Sequence, residues 1–331
     1  MQTLRVLAPA KVNLFLGIGQ RDADGYHSAT SILHALMLHD TLSFYFVPPE
    51  QVSYEKEFSP ALFELETCEE EGLTVGVETL WREGMEPVEI PVADNLVTRA
   101  VLAVARAYGF PQKGYLRVNV EKHIPLQAGL GGGSSDAAAA LVACAQLWGI
   151  SLEDEKLHEI ARSLGADVAF FLRGGCGVYS GRGDVFERAL ETRKDDVLLV
   201  IPEGGVSTAE AYRTFDEDPL PVPADVEAAA LAAARAADVP LFNNLEAAAH
   251  KLLPALDEVT NWANAAEGVR EVLLSGSGSA VFCVCESPDA ALRLAVDARA
   301  QGWRTRVTSF TKLRAQALPQ ERQTNLGATR V

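Results

Sequence analysis

A chain of 331 residues, 48% of them hydrophobic, can bury a substantial core and has room for one large or two medium domains. Its formal net charge of -16 excludes general attraction to nucleic acid or an anionic membrane, although helix termini and a few lysines can still receive an anionic small molecule. The odd count of five cysteines includes no CxxC pair, and the six histidines show no HxxxH or HExxH spacing, so a protein-held metal site is not expected and reduced, mostly buried thiols in a cytoplasmic protein are.

The run LRVLAPAKVNLFLGIG (4–19) predicts a strand, a bend at Pro9 and a second strand. Pro9, Lys11 and Asn13 interrupt its apolar character, so it does not read as a secretory leader, and no stretch is long and apolar enough to span a bilayer. The Asp-Gly of RDADGYH (21–27) marks a turn, and ATSILHALML and TLSFYFV continue as strand. Residues 48–91 are acidic, with five glutamates in ELETCEEE (64–71), and read as an irregular solvated insertion. DNLVTRAVLAVARAYG (94–109) predicts a helix capped by Asp94 and closed by Gly109. YLRVNVEKHIPL alternates as a strand, and SLEDEKLHEIARSLG predicts a helix with Ser151 and Asp154 at its start.

In the second half, VLLVIPEGGVST predicts a strand, followed by helical stretches and a strand-turn-strand at EVLLSGSGSAVFCVC. A helix over 288–302 and the strand RTRVTSF complete the pattern. Strands and helices mix without strict alternation, so the fold class is α+β. The glycine-rich stretch near 174–183 marks the expected boundary between domains at 1–173 and 174–318, with a polar, mobile tail at 319–331.

The most unusual stretch is QAGLGGGSSDAAAAL (127–141). Gly129, Gly131, Gly132 and Gly133 precede Ser134 and Ser135, and then a strong helix former begins. Glycines let backbone N–H groups approach an anion, and the helix start adds free N–H groups and a positive dipole end. The two serines can donate to a phosphate or meet a magnesium ion. The loop is not a Walker A motif, since the chain has no Gly-Lys, nor a dinucleotide fingerprint, since Ser134 stands at the third glycine. By itself the stretch is equally a serine-capped turn.

Three further blocks lie around it: PAKVNLFL (9–16), DGYH (24–27) and LLSGSGSAVF (273–282). DNLV (94–97), GADVAFFL (165–172), VSTAEAY (206–212) and NNLE (243–246) accompany them. The ordered set resembles the GHMP kinases, and within them a branch that phosphorylates the tertiary 2-hydroxyl of a cytidine diphosphate-linked methylerythritol in the non-mevalonate isoprenoid pathway. The chain departs from the usual pattern at Gln127, at Ser279 and at Asn244 of NNLE.

The resemblance implies a two-domain fold with the active site in the interdomain cleft. It implies ATP as phosphoryl donor and magnesium bound mainly through the nucleotide. Asp167 is then the candidate general base, and Lys11 the cation beside it. Gly129, Leu130, Gly131, Gly132, Gly133, Ser134 and Ser135 form the phosphate loop, with Asn95 and Lys122 near the adenine and ribose. Asn13 contacts the substrate, and it shares a strand face with Lys11. Tyr26 and His27, exposed after the turn, hold the cytosine, with Tyr212 as second stacking face. Gly276, Ser277 and Gly278 line the substrate side. A monomer or homodimer is expected. Two rivals stay open: a GHMP kinase for homoserine, a sugar or mevalonate, and a catalytically silent nucleotide-binding member.

Overall fold

The structure, a computed structural model, describes residues 2–21, 25–70, 72–82, 85–109 and 114–319. The opening apolar run forms one continuous strand, β1 (Gln2–Arg21), rather than two strands about a bend. Pro9 is absorbed as a register shift between Pro9 and Lys11 against the antiparallel partner β2 (His27–Val47). A bulge takes up the missing donor of proline and lets the ladder resume. Asp22, Ala23 and Asp24 of the expected turn lie outside the described residues.

The acidic stretch departs from the expected irregular insertion. It forms helix α1 (Pro49–Phe58) and strands β3 (Thr67–Glu70) and β4 (Leu73–Trp81). Helix α2 (Leu96–Tyr108) crosses over to β5 (Gly114–Lys122), which pairs parallel with β4 and antiparallel with β2. Leu73 and Val75 are buried, with Val77 packed beside them. The surrounding glutamates concealed this inward-facing alternation in LTVGVETLW. Gly109 closes α2 in the left-handed region at φ 59°, as expected. Its cap is Asn95, whose Oδ1 accepts the Val97 N–H at 2.9 Å, and not Asp94.

Helices α3 (Gly132–Trp148), α4 (Glu155–Leu164) and α5 (Ala166–Arg173) join α2 around a core against this sheet. The alanines at 137–140 are wholly buried, so α3 sits close to its neighbours. Asp154 caps α4 by accepting the Lys156 N–H. Strands β6 (Cys176–Ser180) and β7 (Val185–Leu190) then extend the same sheet, since β6 pairs with β2. Residues 176–190, expected in the second domain, are therefore hydrogen-bonded into the first sheet. The glycines at 174 and 175 form the tight turn between α5 and β6, with φ of 70° and 66°, rather than a linker.

The second sheet begins at β8 (Asp196–Ile201). Helices α6 (Thr208–Glu217) and α7 (Ala224–Ala232) lead to β9 (Phe242–Asn243), which pairs back with β1. Helices α8 (Glu246–Leu252) and α9 (Ala255–Ala265) precede β10 (Val269–Leu274) and β11 (Val281–Cys285). After α10 (Pro288–Ala300) come β12 (Arg304–Ser309) and β13 (Gln316–Ala317), and β13 returns to β1. The sheet order is β10-β11-β8-β12, antiparallel throughout. Strand alternation makes two cores of it. Val197, Leu199, Phe282 and Val284 pack with Val12, Leu14 and Ile32 of the first sheet, while Leu198, Val200 and Cys283 pack with Val259 of α9 and Leu294 of α10.

All five cysteines are free thiols, and burial raises those of Cys144, Cys176, Cys283 and Cys285 above the ordinary range. Among the described residues no helix is long and apolar enough to cross a membrane. Residues 320–331 of the expected tail lie outside the described residues.

His34 of β2 anchors the connector between β7 and β8. Its Nδ1–H donates to Ala35 O at 2.9 Å, and its Nε2 accepts the Arg193 N–H at 3.2 Å. The neutral ring is thus satisfied at both nitrogens. Burial lowers its pKa to about 4, and the Arg193 charge pushes the same way. A depressed histidine contributes stability above its ordinary value near 6.5 that is lost as pH falls towards 4, about 3 kcal/mol for a shift of this size. The unfolding free energy is therefore expected to fall between pH 7 and 4.5 by less in His34→Gln than in the parent, measured by denaturant titration at both values. Leu73→Ala is expected to destabilise the fold by about 2–5 kcal/mol although it lies in the acidic stretch; a loss under about 0.5 kcal/mol would return β4 to a peripheral role.

Candidate active site

Lys11 and Asn13 leave β1 on one face, as their spacing requires. Lys11 Nζ donates to Asn13 Oδ1 at 2.7 Å, and Asn13 Nδ2 donates to Ser31 Oγ at 2.9 Å across the β1–β2 pair. The Asp167 carboxylate, in the first turn of α5, lies 3.5 Å from Lys11 Nζ. Lys11 is buried, whereas the Asp167 side chain keeps 33% of its surface exposed. The carboxylate therefore matches a buried ammonium on one side and faces an open cleft of about 700 Å³ on the other.

The glycine loop forms the next wall. Lys11 N–H donates to Leu130 O at 3.0 Å, tying the loop to β1. Ser275 Oγ donates to Gly129 O, and the N–H groups of Ser279 and Ala280 donate to Gln127 O and Ala128 O. The loop thus also docks on the turn between β10 and β11. A Cβ at Gly129 would stand 1.9 Å from Ser275 O, so close backbone approach demands glycine there. Gly131, at φ 70°, precedes the first turn of α3 and offers no side-chain cap. The first-turn N–H groups of α3 have no partner within the helix, and they adjoin the cleft at Gly132, Gly133 and Ser134. Backbone donors arranged in this way suit an anion. Leu130 lines it too, while its side chain is buried.

Ser135 is not part of that wall. It is wholly buried, and its hydroxyl points into the interior without a partner. Lys122 also differs from expectation. It is 3% exposed, and its Nζ donates to Asp40 Oδ2 at 2.5 Å and Asp136 Oδ2 at 2.7 Å. Asp40 Oδ1 accepts the N–H groups of His123 and Ile124, where the chain leaves β5 for the loop. One buried cluster therefore holds both ends of the phosphate loop, the strand before it and α3 after it. Burial raises the Asp136 carboxyl above the ordinary range, against the pull of the Lys122 ammonium. Neither Asp40 nor Asp136 was assigned a part from sequence; a lone carboxylate inside a buried alanine run was the available signal. Asn95 caps α2, and the neighbouring Leu96 lines the cleft.

The opposite wall comes from the second half of the chain. Gly276 and Gly278 take φ of 57° and 87°, and a Cβ on Gly276 would lie 3.5 Å from Lys11 Nζ. Ser277 Oγ is 3.0 Å from Thr208 Oγ1 of α6. Asn243 Nδ2 donates to Leu274 O and Gly276 O, while its Oδ1 accepts the Leu245 N–H, so Asn243 shapes this turn. Thr208 and Asn243 carried no role in the sequence reading.

Tyr212 lines the cleft, and burial pushes its phenol up to about 12, with the Asp167 charge acting in the same direction. Tyr26 is 54% exposed, as expected, with the Arg182 guanidinium 3.6 Å above its ring centroid. His27 is not exposed: its side chain keeps only 9% of its surface. Its Nδ1 donates to Gly19 O at 3.0 Å, and its Nε2 meets Asp216 Oδ1 at 2.9 Å. Its ring lies 5.4 Å from Tyr212 and 5.9 Å from Phe215, both on α6. In this arrangement neither ring nitrogen is available to a base edge, and the imidazole ties β2 to α6 instead. Sequence separation hid these partners. A larger cavity of about 870 Å³ lies behind His27, beside Phe215 and Leu220, and holds neither Lys11 nor Asp167.

The fold and this helix start with free backbone donors point to a class. The family model for the GHMP kinases N terminal domain matches residues 95–175, and that for the GHMP kinases C terminal matches 225–302. A 4-diphosphocytidyl-2-C-methyl-D-erythritol kinase from Pseudarthrobacter chlorophenolicus is 35% identical over 313 residues, covering 91% of this chain and 90% of that one. One from Desulfitobacterium hafniense is 34% identical over 309 residues, 92% of this chain and 95% of that one. A crystal structure of 4-(cytidine 5'-diphospho)-2C-methyl-D-erythritol kinase superposes with a TM-score of 0.69 at 34% identity, covering 93% and 99% of the two chains. The chain belongs to the 4-diphosphocytidyl-2-C-methyl-D-erythritol kinase family of GHMP kinases.

Lys122→Met is expected to cost about 3–5 kcal/mol of stability, because it leaves two buried carboxylates uncompensated. A variant as stable as the parent but deficient in ATP binding would instead make Lys122 a nucleotide ligand.

Proposed function

We propose that this protein transfers the γ-phosphate of ATP to the 2-hydroxyl of 4-diphosphocytidyl-2-C-methyl-D-erythritol. The observation that carries this reading is the facing of Lys11, Asn13 and Asp167 across one cleft from the glycine loop. Phosphoryl transfer asks the protein chiefly for alignment and charge neutralisation. The α3 N-terminus and the loop N–H groups receive the phosphates of ATP. Asn13 orients the acceptor hydroxyl, and Asp167 takes its proton as the bond to phosphorus forms. Lys11 neutralises charge on the transferred group while holding the Asp167 carboxylate in place. Tyr212 offers its ring to the cytosine, and His27 keeps α6, and with it Tyr212, against β2.

Among the described residues no three His, Cys, Asp or Glu side chains gather as metal ligands. The cleft lining includes Ser134 at the start of α3 and the Asp167 carboxylate, oxygen donors that fit magnesium held mainly by nucleotide phosphates. When bound, that ion would supply charge neutralisation on the phosphate oxygens. Residues 2–190 and 196–309 are read as the two lobes, and the free thiols as those of a cytoplasmic enzyme.

Asp167→Asn is expected to lower kcat by about 10²–10⁴ while leaving substrate binding nearly unchanged, since the amide is isosteric but cannot accept the proton. Coupled ADP release and calorimetry measure the two quantities, and near-parental turnover removes the base from Asp167. The same ADP assay with the cytidine-linked alcohol, mevalonate and homoserine tests the substrate assignment, with turnover of the first alone expected.

A further inference from the structure

We propose that Arg182 recognises the diphosphate of the acceptor substrate, with Tyr26 serving as the platform that aims it. This assignment rests on the substrate reading above.

Arg182 sits at the tip of the β6–β7 hairpin between Gly181 and Gly183, both at positive φ. The tip is held in place from two sides. Ala29 N–H donates to Gly181 O at 2.8 Å, docking it on β2, and Arg182 N–H donates to Asp184 Oδ1 at 3.0 Å. Its side chain lies over the Tyr26 ring at 3.6 Å. Arg182 lines the reaction cleft, whereas Tyr26 does not.

Stacking uses only the face of a guanidinium. Its N–H donors project from the edge, in the geometry that grips a phosphate through two oxygens. Among the described residues no ion pair involves Arg182, while the other cation on this wall, Lys11, is already bound to Asn13 and close to Asp167. The cleft must accept anions within a chain of net charge -16. Position agrees with charge. Ser31, bonded to Asn13, and Ala29, beside the Arg182 hairpin, share a face of β2 and both line the cleft. They lie about 7 Å apart along the strand. An acceptor with its hydroxyl at Asp167 and its chain along β2 brings its diphosphate, a few bonds away, to Arg182.

The test compares cytidine with cytidine diphosphate, by calorimetry, in the presence of a saturating non-hydrolysable ATP analogue that keeps the donor site filled. Arg182 is exposed, so Arg182→Gln and Arg182→Lys are expected to fold. Arg182→Gln should weaken cytidine diphosphate about ten- to a hundredfold and cytidine less than twofold. The KM for the cytidine-linked substrate should rise in step, with kcat and the KM for ATP unchanged, and Arg182→Lys should recover part of the loss. Equal weakening of both ligands would move Arg182 to the base, and unchanged affinity for both would remove it from the site; either overturns the assignment while parental turnover of the substrate stands. A parent protein that neither binds cytidine diphosphate nor turns over the cytidine-linked substrate would overturn the substrate reading itself.

Discussion

Two glycine turns from opposite halves of the chain meet backbone to backbone, and the site exists only because they can. The phosphate loop and the β10–β11 turn approach so closely that no side chain fits at Gly129. Three hydrogen bonds stitch them together, from Ser275, Ser279 and Ala280. The contact fixes the first helix turn of α3 relative to Gly276, which borders Lys11 and Asn13. The two sides of the cleft are thus set against each other by main chain, which has few ways to relax.

Beneath that contact lies a second constraint of a different kind. Lys122, Asp40 and Asp136 form a charged cluster sealed from water. Such groups are costly to bury and adopt few alternatives once buried. Because one carboxylate holds the exit of β5 and the other rides on α3, the cluster fixes the loop at both ends from below.

Much of this was legible in the sequence, and the misses share a physical cause. The close of α2 at Gly109, the Asp154 cap of α4, the strand pairs of the second half and the glycine loop follow from local chemistry: caps, alternation and positive φ. Lys11 and Asn13 could be placed on one strand face by counting alone. What escaped were features decided by distant neighbours. Glutamates around β4 disguised a strand that only β5 could complete. The glycines at 174 and 175 looked like a linker because nothing local shows that β6 pairs with β2. His27 follows a turn and so looked exposed, yet α6, some 190 residues on, encloses it. Lys122 was expected near the adenine and ribose, and the two carboxylates that hold it instead lie 82 and 14 residues away.

Strand β1 has neighbours drawn from the whole length of the chain. It pairs with β2 near its own start, with Phe242 and Asn243 of β9, and finally with Gln316 and Ala317 of β13. The strand bearing Lys11 and Asn13 precedes two of these partners by more than 200 residues. Its last hydrogen-bonding partner is among the final segments described. Domains often fold in order as they are made, but long-range pairings must wait for their partners. During synthesis the amino-terminal half is therefore left with an unpaired strand edge until Gln316 and Ala317 have emerged to pair with Leu7 and Val6.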